Sequence, residues 1–338
     1  MNSILQKILT IAIPTFNRGI QIEKQLNFLL NIIDDRTNII VIDNCSDEDQ
    51  FSYLNKFSQS IQIVRNKFNV GMYANVLRCF ELCESEYLWV IGDDDDLNLD
   101  SLEIIRNLIE KFPNQDTIHA YKRAREVLVD NNLDSFIESI ENFSDFLYLP
   151  NTIYKMENIQ KFIRTGYRYA YSGAPHLVLS LCTANSGGKH FFSSQLLVKP
   201  PKVSNQERWS QVDVALGMPT LCEIPLNWSI RSRKNLNNKI YYSYRIELVT
   251  QQLNLLSFKN KEEAIFLFYS YFGKFYYNRP ITFFIATLFC RILIQFPKIG
   301  HQIIKTVFYL MLNLFPHKVN FRSKSFNDFE VPDRLKRM

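Results

Sequence analysis

The chain has 338 residues, 46% hydrophobic and 22% charged, enough to bury a full core in one large domain and a smaller one, which excludes a minimal module. Its net charge of +5 is uneven: no Asp or Glu lies between Glu263 and Asp328, whereas Lys274, Arg279, Arg291, Lys298, Lys305, Lys318, Arg322 and Lys324 do. A slightly acidic body with a basic tail argues against a nucleic-acid-binding face, and six cysteines without a CxxC pair argue for reduced core thiols over a zinc site.

Residues 1–8 lack the basic start and sustained apolar run of a secretory signal, so a cytoplasmic location is expected. Short apolar runs then alternate with helix-like ones, the pattern of βαβ units around a parallel sheet. Strands are expected at 8–14, 38–43, 61–65 and 87–92, with helices near 20–33, 51–56 and 72–82. Each strand ends in polar residues, at 15–18, 43–47, 66–71 and 93–96. In a parallel sheet those ends share one edge, and ligands of open α/β sheets bind there.

The fourth strand ends in Asp93-Asp94-Asp95-Asp96. Four consecutive carboxylates repel one another, and hard oxygen ligands suit Mg²⁺ or Mn²⁺. A solvated acidic turn is the alternative, but the place of the run at the carboxyl end of a buried strand favours a cation site. Beyond it, 101–112 has helical spacing and Pro113-Asn114 ends that helix. Segments 118–129 and 191–198 read as strands of a mixed or antiparallel part, and 130–148 as an insertion or acceptor-side region. The polar stretch 231–239 reads as helix-poor, which places a boundary between a domain at 1–230 and a C-terminal region at 231–338.

That C-terminal region is apolar and helical in pattern, but its longest apolar runs, near 281–290 and 307–312, are too short to span a bilayer. Polar residues recur at helical spacing: Thr287, Arg291 and Gln295, then His301, Lys305, Tyr309 and Asn313. Such helices either lie in a membrane interface or pack as a buried hairpin. The charge bias favours the interface, because each Lys or Arg near an anionic surface adds roughly 1 kcal/mol.

Four segments taken together carry a resemblance. They are Leu9-Thr10-Ile11-Ala12-Ile13-Pro14-Thr15-Phe16-Asn17-Arg18, Val41-Ile42-Asp43-Asn44-Cys45-Ser46-Asp47, Asn69-Val70-Gly71 and the run Asp93 to Asp96. In order and spacing they resemble a family 2 glycosyltransferase of GT-A fold, an α/β Rossmann-like domain, over about the first hundred residues. More distantly, Tyr171-Ser172-Gly173-Ala174-Pro175-His176 and the long C-terminal extension resemble bacterial O-antigen sugar transferases of the abequosyltransferase type.

The resemblance implies that Thr15, Asn17 and Asp43 line a nucleotide pocket; capping of the following helix is the alternative for Asp43, but its place at the end of the strand, on the edge of the acidic run, favours binding. It implies that Asn69 and Gly71 shape the turn beneath the diphosphate, with Arg18 and Arg65 as phosphate contacts. Where relatives often carry an Arg-Asn pair after that glycine, this chain has Ala74-Asn75, so positive charge must come from elsewhere. The family's metal motif falls on Asp94 and Asp95, with Asp95 the first choice of ligand and Asp94 also near the nucleotide. A diphosphate about 4 Å from one carboxylate would be repelled by roughly 4 kcal/mol per charge pair at an effective dielectric of about 20, so donor binding calls for a divalent cation.

Transfer also needs a base for the acceptor hydroxyl. The family's Glu-Asp pair is missing, and the matching position is His176, whose ordinary pKa suits the work but which could also be a core or capping histidine. Asp213 and Glu207 are the fallbacks. The expected function is therefore inverting transfer of a sugar from a nucleoside diphosphate donor to a polyprenyl-diphosphate-linked oligosaccharide, by an enzyme held peripherally on an anionic inner membrane face. Two rivals remain. A sugar nucleotidyltransferase would want a Gly-rich, basic loop where this chain has Pro14-Thr15-Phe16-Asn17, and a catalytically inactive nucleotide-binding scaffold would leave the acidic run without a task.

Overall fold

The computed structural model describes residues 7–199 and 217–254, with the single positions Ile281, Phe284, Ile285 and Leu288. Glu207 and Asp213 lie outside the described residues, as do the run 307–312, the run 281–290 apart from those four positions, and the polar residues Thr287, Arg291, Gln295, His301, Lys305, Tyr309 and Asn313. The chain divides into two units, one holding residues 1–202 and 217–243 and the other 203–216 and 244–338. The first unit carries the whole sheet.

Its first half alternates as the hydrophobic pattern predicts: β1 (Leu9–Thr15), α1 (Gly19–Leu30), β2 (Thr37–Asp43), α2 (Glu48–Phe51) running into a 3₁₀ turn, β3 (Gln62–Arg65), α3 (Met72–Glu81), β4 (Tyr87–Val90) and α4 (Ser101–Lys111). Strands β3, β2, β1 and β4 lie side by side and parallel. They read as continuous apolar runs because both faces are covered. On one face Ile11, Ile13, Val41, Trp89 and Ile91 meet Ile22, Leu26 and Leu29 of α1 and Leu102 and Ile105 of α4. On the other, Ala12, Ile40, Ile42, Leu88 and Val90 meet Val76, Leu77 and Phe80 of α3. At about 1.5–3 kcal/mol per buried Leu- or Ile-sized chain, these two layers hold the strands in place and so fix where they end.

The second half departs from the expected pattern. It contains β5 (Thr117–Ala120), β6 (Val127–Asp130), α5 (Leu133–Glu138), α6 (Phe143–Leu147), β7 (Thr152–Lys155), α7 (Met156–Ile159), α8 (Ile163–Arg168), α9 (Pro175–Asn185), β8 (Lys189–Ser193) and α10 (Ile230–Asn254). Segment 118–129 is two strands, not one. Segment 191–198 is strand only to Ser193, after which the chain returns so that Val198 bridges Leu97. Segment 130–148 holds two short helices capped by Asn132 and Asn142. Segment 231–239, read as helix-poor from its polarity, is the start of α10, since Asn, Lys and Arg in a run do not prevent a helix that contains no Gly or Pro.

Strand β7 inserts antiparallel between β4 and β5, β8 pairs parallel with β5, and β6 closes the edge antiparallel to β8. Because β7 runs against both neighbours, β5 and β8 point the same way as β4. Their carboxyl ends therefore join the edge where β1 and β2 finish. Helix α9 is buried from Pro175 through Ala184, which is why its sequence shows almost no amphipathic period.

Three histidines, His119, His176 and His190, are buried neutral in this layer. Burial pulls His176 to about 4 and His190 to about 3, and pulls His119 well below its usual value. Each binds its proton more readily when unfolded, at about 6.5, so their stabilisation is complete above that pH and is lost as pH falls from 6.5 toward 4. Urea unfolding at pH 7, 6, 5 and 4.5 should show stability falling by up to about 1.4 kcal/mol per pH unit for each buried histidine. A flat profile over that range would contradict their neutral burial.

Candidate active site

The crevice edge begins with two loops locked to each other. Thr15 stands in register with Asp43, and the Asn44 amide donates to the Thr15 carbonyl at 2.9 Å. Asn17 adopts a left-handed φ of 53°, a conformation Asn tolerates. Its amide donates to Ser46 Oγ at 2.8 Å, its side-chain nitrogen to Asp47 Oδ2 at 3.0 Å, and its Oδ1 accepts from the Asp47 amide at 2.8 Å. Asn17 thus staples the β1 loop to the β2 loop.

Asp43 is fully buried at the end of β2. It accepts from the Ser46 amide at 3.1 Å and pairs with Arg65 Nε at 3.3 Å. Arg65 is itself committed, with Nη1 on Glu48 at 2.7 Å and Nη2 on the Ser46 carbonyl at 2.6 Å. Asp43 does not cap the following helix, whose N-cap is Asp47; its carboxylate braces the loop that follows β2. Arg65, expected at the phosphates, serves the same brace. Arg18 instead faces the acidic run, 4.0 Å from Asp94.

A network of asparagines forms the next wall, and only Asn69 among them was expected to matter. Asn44 Oδ1 accepts from Asn66 Nδ2 and the Val70 amide, both at 3.0 Å, and Asn44 Nδ2 donates to Asn69 Oδ1 at 2.7 Å. Asn69 Oδ1 also accepts from the Gly71 amide at 2.8 Å. Asn66 reaches Asn75 at 2.8 Å, and Asn75 donates to the Ile42 carbonyl at 3.0 Å. Asn75, beside the position where an arginine was missed, is therefore a buried anchor. Gly71 caps α3 with φ of 82°, which favours glycine although no atom crowds it. The sequence signal for this wall is a set of Asn residues just past two successive strands.

The four aspartates are held apart by four different partners. Asp93 accepts from Thr15 Oγ1 at 2.6 Å. Burial raises its pKa to about 6, Thr15 and Arg18 oppose that rise, and Asp94 and Asp95 add to it. Asp94 is about one-third exposed, beside Arg18. Asp95 accepts from the Gly92 amide at 2.6 Å and from the Tyr148 hydroxyl. Asp96 pairs with Lys199 at 2.9 Å, and its carbonyl accepts from the Lys199 amide at 2.8 Å.

Asp95, the first choice for the metal, accepts one hydrogen bond on each carboxylate oxygen, and Asp94, about one-third exposed, lies beside Arg18. Among the described residues no group of three or more His, Cys, Asp or Glu is arranged to hold an ion. The donor set nevertheless fits Mg²⁺ or Mn²⁺, because such ions take one or two carboxylates and fill the other positions with water and substrate phosphate. Burial, more than the neighbouring carboxylates, raises the Asp93 pKa, and a cation beside it would favour the ionised form.

His176 is not placed for base catalysis. It lies in the core at the start of α9, 2% exposed, with Nε2 on the Leu147 carbonyl at 2.9 Å and its pKa pulled to about 4. Its surroundings are those of the core-histidine reading. Tyr148, Tyr121 and Arg123 reach this edge from the second half of the chain and were not anticipated. No motif marks them, since they come from the weakly patterned region.

Residues 10–172 match the family described as Glycosyl transferase family 2. The chain carries a family 2 glycosyltransferase domain. It is also 26% identical over 222 residues to the abequosyltransferase RfbV of Salmonella typhimurium, a match covering 56% of this chain and 66% of that relative's length. In three dimensions it is similar to TarS 1–349 of S. aureus in complex with UDP-GlcNAc, at TM-score 0.55 and 12% identity, over 84% of this chain and 86% of that one. It is similar too to the mannosyltransferase PcManGT of Pyrobaculum calidifontis in complex with GDP-Man and Mn²⁺, at TM-score 0.51 and 12% identity, over 87% and 88% of the two chains. The fold is GT-A-like, as the resemblance implied.

The Thr15 to Asp93 bond gives a direct test of this electrostatic picture. Thr15→Val removes a donor that favours the ionised carboxylate, so the Asp93 titration midpoint should move further above 6 when followed by carboxyl carbon NMR. An unmoved midpoint would contradict the bond.

Proposed function

We propose that this chain is a glycosyltransferase that moves a sugar from a nucleoside diphosphate donor to a lipid-linked oligosaccharide during bacterial surface polysaccharide synthesis. The observation that carries the reading is convergence. The stapled loop at Asn17, the asparagine wall with its Gly71 turn, and the acidic run all open on one sheet edge of a family 2 domain. The identity to an abequosyltransferase supports the substrate class, and structures similar in fold carry UDP-GlcNAc and GDP-Man.

In this reading the loops of β1 and β2 receive the nucleoside, and the Gly71 turn lets the diphosphate approach the backbone. Arg18 offers the nearest cationic side chain to the phosphates. Asp94, with Asp93 behind it, would hold Mg²⁺ or Mn²⁺, which when bound neutralises the diphosphate and eases departure of the nucleotide. Asp95 holds the turn itself, through Gly92 and Tyr148. With His176 in the core, removal of the acceptor proton falls to the fallback residues Asp213 and Glu207, of which Asp213 is the one proposed, and inversion is the proposed outcome.

Membrane attachment rests on the tail. The acid-free stretch carries eight cations, and Ile281, Phe284, Ile285 and Leu288, at helical spacing, are each more than half exposed. Among the described residues no helix is long and apolar enough to cross a membrane. An apolar helical stripe among cations supports peripheral binding at the cytoplasmic face, where a polyprenyl-diphosphate acceptor would be reached.

Turnover of a panel of UDP-, GDP-, CDP- and dTDP-sugars with Mg²⁺ or Mn²⁺ and membrane lipid extract tests the reading. One donor should release its nucleoside diphosphate only with metal. Asp94→Asn should abolish that release, and Asp213→Asn should lower kcat about 10²- to 10⁴-fold with donor affinity kept. Binding of nucleotide without turnover of any donor would leave a scaffold and overturn the transferase. In flotation with anionic liposomes, truncation after Asn238 should release the protein; unchanged flotation would overturn the tail's role.

A further inference from the structure

The end of β5 carries two polar side chains that the crevice, as described so far, does not use. Tyr121 and Arg123 follow β5 at the same edge where β1, β2 and β4 end. Tyr121 is 1% exposed, and so is the Arg123 side chain. The guanidinium lies 4.9 Å from the Phe192 ring centroid and 5.8 Å from that of Tyr121. Nε donates to the Arg125 carbonyl, and Nη2 reaches Glu141 Oε1 at 3.4 Å. Nη1 finds no hydrogen-bond partner among the described residues, and the Tyr121 hydroxyl finds no side-chain partner, with only the Glu141 backbone bearing on it. Folded proteins rarely leave a buried donor without a partner beside a buried phenol without a side-chain partner, so the pair calls for something to bind.

The surrounding charge decides what that is. Glu141 also accepts from the Ala124 amide at 3.0 Å, and Glu126 accepts from Ser193 and Ser194 at 3.2–3.3 Å. Asp145 bears on the Tyr121 phenol as well. A phosphate or carboxylate entering here would meet three carboxylates for one guanidinium. A neutral hydroxyl would not, and it can accept from the Arg123 edge while donating to, or accepting from, the phenol. Aromatic rings, a guanidinium and a carboxylate together suit the alternating apolar and hydroxyl surface of a sugar.

We propose that Tyr121 and Arg123 bind sugar hydroxyls in the crevice, on the donor's hexose or the acceptor's terminal residue, and so select the sugar and not the nucleotide. This rests on the transferase reading above. It assigns specificity to the strand end that follows the nucleotide-binding half, with Glu141 orienting the guanidinium.

Tyr121→Phe is the decisive variant, because it removes one oxygen that has no side-chain partner here and should leave the thermal midpoint unchanged or raised. With the full chain and the same panel, calorimetry reads affinity for each bare nucleoside diphosphate and for its sugar. Turnover with lipid extract reads acceptor KM. A donor contact predicts about tenfold weaker binding of the sugar nucleotide with the bare nucleotide unaffected, and an acceptor contact predicts about tenfold higher acceptor KM with donor affinity unaffected. Arg123→Lys, which keeps the charge and loses the planar fork, should act in the same direction. If both variants fold, bind and turn over as wild type does, the sugar contact is overturned while the transferase stands. If the wild type binds no nucleotide, both fall together.

Discussion

Crowding of four carboxylates at the end of a wholly buried strand is the constraint around which this edge is built. Two such charges about 4 Å apart repel by roughly 4 kcal/mol at an effective dielectric of about 20, and β4 offers them no room to spread. The chain answers with a separate partner for each: Thr15 from the end of β1, Arg18 from its loop, Tyr148 from beyond α6, and Lys199 from beyond β8. Four distant segments are thereby drawn to one place. The crevice has its shape because the acidic run must be partnered from several sides.

The partnering is uneven, and the unevenness carries the chemistry. Asp95 and Asp96 are satisfied by the protein, so they fix the turn. Asp93 is held in a buried place, which raises its pKa, and Asp94 is about one-third exposed beside Arg18. A site whose turn is fixed at Asp95 and Asp96, with Asp93 and Asp94 beside Thr15 and Arg18, suits a cation that arrives with an anionic ligand. Mg²⁺-type ions are commonly shared between protein carboxylates and substrate phosphates in this manner.

Legibility in the sequence followed burial symmetry. Strands β1 to β4 are apolar on both faces and separated by helices of ordinary period, so their places and their polar ends could be read from residues 9–92 directly. Strand β7, four residues long and following Pro150, has no such contrast, and α9 is buried all round and shows no helical stripe. The polar start of α10 misled for the opposite reason, since charge without Gly or Pro is compatible with a helix. Within the site, residue type fixed the neighbourhood but not the role. Asp43, Arg65 and His176 sit where the pattern put them, yet each is engaged with its own chain, because partners that the motif does not contain decide which way a side chain turns. Asn66 and Asn75 were invisible as site residues, being meaningful only through Asn44.

The account stands or falls on the claim that cation and nucleotide complete each other on Asp93 and Asp94. Calorimetric titration of Mn²⁺ or Mg²⁺ into the protein, with and without a saturating nucleoside diphosphate from the UDP, GDP, CDP and dTDP series, measures that coupling directly. Weak metal binding alone, tightened at least tenfold by one nucleotide and reciprocated in that nucleotide's own affinity, is the predicted result. Metal affinity that is the same with and without every nucleotide in the series would contradict it.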